Sequence, residues 1–281
     1  MNRIFGIFGI KTRSFLLNSL DQEPKIGSLF QNSKMKVWKD KEYLVGNLNT
    51  VNSDQNIAED RDILVIFQGN LFCSPKQQSI AQQILTEYKK QRKISFVKNL
   101  SGSFNFLILD KQEKCSYLVT DRCGSRPLFI CFYQNSFLFG SEVKLILSLL
   151  NKNPPINWKA WGQYLAFRFT LGQNTFYKDI KLAPHGTIFK IYYQKRISVS
   201  QQKYWDFSEI TIDRGKSFQK KIDEGVEIFR KVFSDLGEVI KDDRSIVALS
   251  GGFDSRSIVS GLKKYSAAQD FDTITTLHPC G

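Results

Sequence analysis

Six residues near the end of the chain, Ser250-Gly251-Gly252-Phe253-Asp254-Ser255, combine groups that can hold phosphate. Two glycines let the backbone approach a ligand closely. Backbone N–H groups at the start of a helix form an anion cradle, and the two serine hydroxyls add donors. A carboxylate such as Asp254 suits a phosphate site only through a bridging divalent cation, which makes it the candidate metal ligand. The plainer reading is a helix-starting turn capped by Asp254 or Ser255. No G-x-x-x-x-G-K-[ST] occurs, so the loop is not of the Walker type.

Few other residues offer chemistry. The five cysteines (Cys73, Cys115, Cys123, Cys131, Cys280) contain no C-x-x-C pair, and His185 and His278 are the only histidines. Zinc ligation does not fit that spacing, and free thiols in a reducing cytosol do.

The elements around the loop fall into two textures. Residues 4–10, 63–67, 104–110, 116–120, 127–133 and 136–140 read as short strands joined by polar turns. Residues 79–91 and 142–150 read as helices, and Asn157 caps a further helix carrying Trp158, Trp161 and Leu165. A strand pair, 175–180 with 187–193, is expected to close this antiparallel region. From residue 217 apolar side chains recur at three- and four-residue steps, which predicts an amphipathic helix over 217–236. A buried strand at 245–249, the glycine loop, a helix to 265 and a second buried strand at 273–277 follow. That order opens a parallel α/β domain.

Length and composition agree with two domains. The chain has 281 residues, 42% of them hydrophobic, and 40 basic against 27 acidic residues give a net charge of +13. No uncharged apolar run of eighteen residues occurs, so no membrane span is expected. The basic residues scatter along the edges of apolar segments, so nucleic acid is disfavoured as a partner. One β-α-β unit cannot cover both faces of a parallel sheet, so the sequence is expected to be a fragment or to be completed by another chain.

The glycine loop resembles the pyrophosphate loop of N-type ATP pyrophosphatases. Upstream segments narrow the resemblance: Asp121-Arg122-Cys123-Gly124-Ser125-Arg126-Pro127-Leu128-Phe129, Phe139-Gly140-Ser141-Glu142-Val143-Lys144, Leu100-Ser101-Gly102-Ser103-Phe104, residues 176–186 and Tyr204-Trp205-Asp206. In this order they are similar to the glutamine-hydrolysing asparagine synthetase family. The resemblance implies an α+β N-terminal domain over 1–205, an antiparallel β sandwich of the Ntn-hydrolase or glutaminase kind flanked by helices. It implies the start of an α/β PP-loop domain over 206–281.

For function it implies ATP and Mg2+ as cofactors, adenylation of a small carboxylate (aspartate or a related acid) and amide formation. It implies a cytoplasmic protein, with a homodimer as candidate assembly. The implied nucleotide site is Leu249, Ser250, Gly251, Gly252, Asp254, Ser255 and Leu277, with Asp254 on the metal. The family's glutaminase nucleophile is a cysteine at position 2; here it is Asn2, and a carboxamide is no nucleophile. The family's glutamine-holding NGE reads Gln68-Gly69-Asn70, so no glutaminase activity is expected. Arg256 stands where the family has Ser or Thr. Two alternatives stay open: a β-lactam or lasso-peptide cyclase type using an internal amine, and a non-catalytic binding module. A tRNA-modifying enzyme with the same loop suits the charge but not the N-terminal half.

Overall fold

Runs such as Ile63-Leu64-Val65-Ile66-Phe67 need apolar cover on both faces of their sheet, and a four-layer packing supplies it. The computed structural model describes residues 2–9, 26, 33–49, 56–72, 79–150, 153–194, 196–240, 245–267 and 270–275. These divide into two compact units, with the break between Glu209 and Ile210.

The first unit holds two six-stranded antiparallel sheets. One contains β1 (Asn2–Phe8), β2 (Lys34–Lys39), β3 (Tyr43–Asn49), β8 (Phe129–Tyr133), β9 (Ser136–Gly140) and β10 (Ile180–Leu182), in the order β10-β8-β9-β1-β3-β2. The other contains β4 (Ile57–Glu59), β5 (Ile63–Leu71), β6 (Gly102–Asp110), β7 (Cys115–Thr120), β11 (Thr187–Tyr192) and β12 (Ser198–Lys203), in the order β12-β11-β7-β6-β5-β4. The sheets pack face to face through Ile4, Phe8 and Phe139 on one side and Ile66, Leu107 and Leu118 on the other. Helix α1 (Ile80–Gln91) covers the outer face of the second sheet with Ala81, Ile84, Leu85 and Tyr88, its start capped by the Ser79 hydroxyl. Helix α2 (Val143–Leu150) covers the outer face of the first with Leu145, Ile146 and Leu149.

Two sequence expectations change here. Residues 175–180 and 187–193 do not pair. The strand after Thr175 is the short β10, bonded to β8 in the first sheet, while β11 lies between β7 and β12 in the second. The turn around Pro184-His185-Gly186 carries the chain from one sheet to the other, so adjacency in sequence misled. Helix α3 (Trp158–Phe167), capped by Asn157 as expected, buries only Ala160 among its residues; Trp158 and Leu165 are exposed.

The second unit consists of α4 (Phe218–Ile240), β13 (Ser245–Ala248), α5 (Phe253–Tyr265) and β14 (Phe271–Ile274). β13 and β14 are parallel neighbours joined through α5. α4 and α5 cross closely because Gly261 has no side chain: a Cβ there would stand 2.5 Å from the Phe233 ring. The two strands were expected to be buried and are not. β14 ends at Ile274, Ile246 is 62% exposed, and Phe218 on α4 is 79% exposed. No further strand or helix among the described residues covers them.

Candidate functional site

Four carboxamide side chains converge where β1, β3, β5 and β6 meet. Asn2 donates through Nδ2 to the Phe67 carbonyl and accepts through Oδ1 from Asn47 Nδ2. Gln68 Nε2 donates to the Asn2 carbonyl at 2.7 Å, and Asn105 Nδ2 donates to Gln68 Oε1 at 3.3 Å and to the Arg126 carbonyl at 3.2 Å. Both polar atoms of the Asn2 side chain are therefore engaged. No thiol belongs to the network, so no nucleophile stands at the head of β1. Asn105 is fully buried and its Oδ1 has no partner.

Beside this network lies a cleft of about 520 Å³ lined by Arg3, Gln68, Ser103, Ser125, Arg126 and Glu142, among others. Arg3 and Glu142 form an ion pair, and Lys144 bonds the other Glu142 oxygen at 3.1 Å. Burial pushes the Glu142 carboxyl up, but these two cations outweigh it and hold it below the usual range. Buried Asp121 holds Ser125, which lines the cleft, in place. Its carboxylate accepts from the N–H groups of Phe104, Cys123 and Ser125, and Ser125 Oγ lies 2.7 Å from it. Arg126 Nε donates to the Ser103 carbonyl at 3.1 Å. Gly69 makes room for that contact: its φ is +121°, and a Cβ there would stand 2.0 Å from the Ser103 carbonyl and 2.8 Å from Arg126 Nε. The cleft presents hydroxyls and guanidinium groups but no histidine among its lining residues. It can hold a polar ligand, and no cysteine is among its lining residues.

The motif segments that carry the family resemblance line this cleft: Ser103, Ser125, Arg126 and Glu142 each come from one of them. Arg3 escaped the sequence reading, because a lone arginine in an apolar run carries no spacing signal.

In the second unit the loop joins β13 to α5. The N-cap is Gly252, and no side chain caps the helix, so neither Asp254 nor Ser255 takes the capping role. Both serine hydroxyls turn onto the loop itself. Ser255 Oγ accepts from the Ser250 N–H at 3.0 Å and lies 3.0 Å from Ser250 Oγ, which accepts from the Gly252 N–H at 3.3 Å. Arg256 folds back, its Nε 3.3 Å from the Gly252 carbonyl and its guanidinium 4.6 Å from the Phe253 ring centre. Asp254 is exposed in the first turn with no partner among the described residues. Leu249 is bonded through its backbone to Ile274 and Thr275. Leu277 lies outside the described residues.

The loop leaves room for a phosphate. A Cβ at Gly251 would meet nothing within 4 Å, and one at Gly252 would meet only Ser250 Oγ at 3.4 Å, so the space beside the helix N-terminus is open. No group of three or more His, Cys, Asp or Glu side chains suited to a metal occurs among the described residues. A cation there would rest on Asp254 and the phosphates.

Comparison with known proteins bears on the first unit. Residues 73–205 match the glutamine amidotransferase domain. Curated asparagine synthetases match as well, each over part of its own length. Asparagine synthetase [glutamine-hydrolyzing] 2 of Bacillus subtilis is 24% identical, over 82% of this chain and 33% of that protein. Asparagine synthetase [glutamine-hydrolyzing] 3 of the same organism is 28% identical, over 58% of this chain and 26% of that protein. The chain spans less than half the length of the curated relatives it matches. Among solved structures, the glutamine phosphoribosylpyrophosphate amidotransferase of B. subtilis, complexed with ADP and GMP, superposes with a TM-score of 0.41. It is 13% identical and covers 97% of this chain and 65% of that one. Residues 73–205 are thus similar to glutamine amidotransferase domains, and the chain is similar to glutamine-hydrolysing asparagine synthetases at modest identity. No helix among the described residues is long and apolar enough to cross a membrane.

Proposed function

We propose that this chain belongs to an asparagine synthetase-like, ATP-dependent amide ligase whose amidotransferase domain does not hydrolyse glutamine. The observation that carries the reading is the state of Asn2. It stands at the position of the family's cysteine, and both its amide groups are consumed by Phe67 and Asn47. Without a thiolate, no covalent attack on the glutamine carboxamide can begin. The amine joined to the activated acid then comes from elsewhere, as free ammonia or as an amine of the substrate.

In this reading the second unit opens the ligase domain. Gly251 and Gly252 would leave room for the phosphates of ATP, the free N–H groups at the start of α5 would bind them, and Asp254 would hold Mg2+. Leu249 lines the nucleotide side. A substrate carboxylate oxygen attacks the α-phosphorus, pyrophosphate leaves, the amine attacks the acyl carbon and AMP leaves. The open loop and the unpartnered Asp254 support this assignment. The reading places the protein in the cytoplasm, with a small carboxylic acid such as aspartate as substrate.

The test has two arms. Glutamate release from glutamine should be absent, and Mg2+-dependent ATP binding should be present and weakened by Asp254→Ala. Saturable glutamate release refutes the first half; ATP binding indifferent to both Mg2+ and Asp254→Ala refutes the second.

A further inference from the structure

On the far side of the first unit, away from the carboxamide network, a second cleft of about 460 Å³ opens on the outer face of the second sheet. Its floor is fixed by strand register. Lys190 on β11 stands opposite Tyr117 on β7 and Ser200 on β12, and Ile188 stands opposite Gln202. Residues on one register row of an antiparallel sheet point to the same face, so Tyr117, Lys190 and Ser200 form one line across three strands. The opposite wall is the segment that leaves α1. Arg92 ends that helix in the left-handed region, which turns Lys93, Ile94 and Ser95 over the sheet before the 3-10 turn Ser95–Asn99 brings in Lys98.

The charge in this cleft is one-sided. Four cations line it and no carboxylate does. Only Arg92 is neutralised, by buried Asp110, which also accepts from the Tyr88 hydroxyl and the Glu113 N–H. Lys93 and Lys98 have no ion pair among the described residues. Lys190 Nζ sits 5.6 Å from the Tyr117 ring centre and 4.7 Å from that of Tyr192. Those contacts hold the ammonium over the cleft without neutralising it. Three ammonium groups with no ion pair among the described residues line one concave site, beside Ser95, Ser200 and Gln202, and together they suit an anion of more than one charge.

We propose that this cleft binds a small phosphorylated molecule, held by Lys93, Lys98 and Lys190. Concavity favours a small ligand over a nucleic acid. The cations meet in one cleft and not along a stripe, and Tyr117 and Tyr204 are too deeply buried to offer a face for stacking bases. The ligase reading above does not use this site.

The experiment titrates inorganic pyrophosphate into the ¹⁵N-labelled chain at constant ionic strength and follows backbone amides, so that binding here is separated from binding at the Ser250–Ser255 loop. The amides of Ser95, Lys98 and Ser200 should shift saturably. The double variant Lys98→Gln/Lys190→Gln should weaken that response about a hundredfold, roughly tenfold for each charge-assisted bond lost. Lys159→Gln on α3, outside the cleft, should leave it unchanged. Three results overturn the proposal: no saturable shift at these amides, an equal loss with Lys159→Gln, or a tighter response of the same amides to short single-stranded RNA than to pyrophosphate.

Discussion

Replacing Asn2 by cysteine returns a thiol to the position where an amidotransferase keeps its nucleophile. It should nevertheless yield no glutaminase and a less stable first unit. The side chain at this position makes two hydrogen bonds, to the Phe67 carbonyl and from Asn47 Nδ2. A thiol is a poor substitute for either. Asn47, 2% exposed, keeps one acceptor, the Arg3 carbonyl at 3.3 Å, so its loss is partial. A net hydrogen bond contributes about 0.5–1.5 kcal/mol, and a buried polar group left unpaired costs about 1–3 kcal/mol. Their combination puts Asn2→Cys at about 1–3 kcal/mol. With a urea dependence of about 3 kcal/mol per molar, the midpoint falls by up to about 1 M. Urea unfolding followed by circular dichroism reads the stability, and glutamate release reads the chemistry. An unchanged midpoint would show that the carboxamide network contributes nothing. Hydrolysis restored by the thiol alone would show that the rest of the glutamine site survives.

Gly69→Ala should destabilise by about 2–5 kcal/mol, since it adds unfavourable backbone strain to a 2.0 Å contact with the Ser103 carbonyl; thermal or urea unfolding checks it. Glu142 has a folded-state pKa below its ordinary 4.5, so its stabilising contribution is complete above that value and is lost as pH falls through the lower, folded value. Glu142→Gln should therefore lower stability at neutral pH and flatten the acid limb of a stability–pH profile. Asp254→Ala should weaken Mg2+-dependent ATP binding by about tenfold or more while leaving the circular dichroism spectrum unchanged, because the side chain is exposed and caps nothing. Amides of β13 and β14, whose side chains lie largely open, should exchange with deuterium far faster than those of β5 and β6; equal protection would contradict the exposure of Ile246 and Ile274.

The sandwich was legible because its sheets are covered on both faces. Ile63–Phe67 and Phe106–Leu109 must be continuously apolar to be buried on both faces, and such runs stand out between polar turns. The switch of sheets between β10 and β11 was not legible, since pairing partners are chosen by the packed core and not by proximity along the chain. The glycine loop was visible as a motif. That its serines bond one another, and that Gly252 and not Asp254 starts the helix, depends on backbone geometry that a motif does not carry. Arg3 and its pairing with Glu142 join residues 139 positions apart, which no local pattern could reveal. The cationic cleft was dispersed for the same reason: Lys93, Lys98 and Lys190 look like scattered surface charges until the fold lines one cleft with them.

The most direct test of the account is the glutaminase assay on the unaltered protein. Purified chain is incubated with glutamine across a concentration series, and glutamate is quantified before and after a second purification. With Asn2 bonded to Phe67 and Asn47 and no thiol at the head of β1, release should not exceed the buffer blank at any concentration. Saturable glutamate production that persists through repurification would mean that this site hydrolyses glutamine without a cysteine nucleophile, and the central claim would fall.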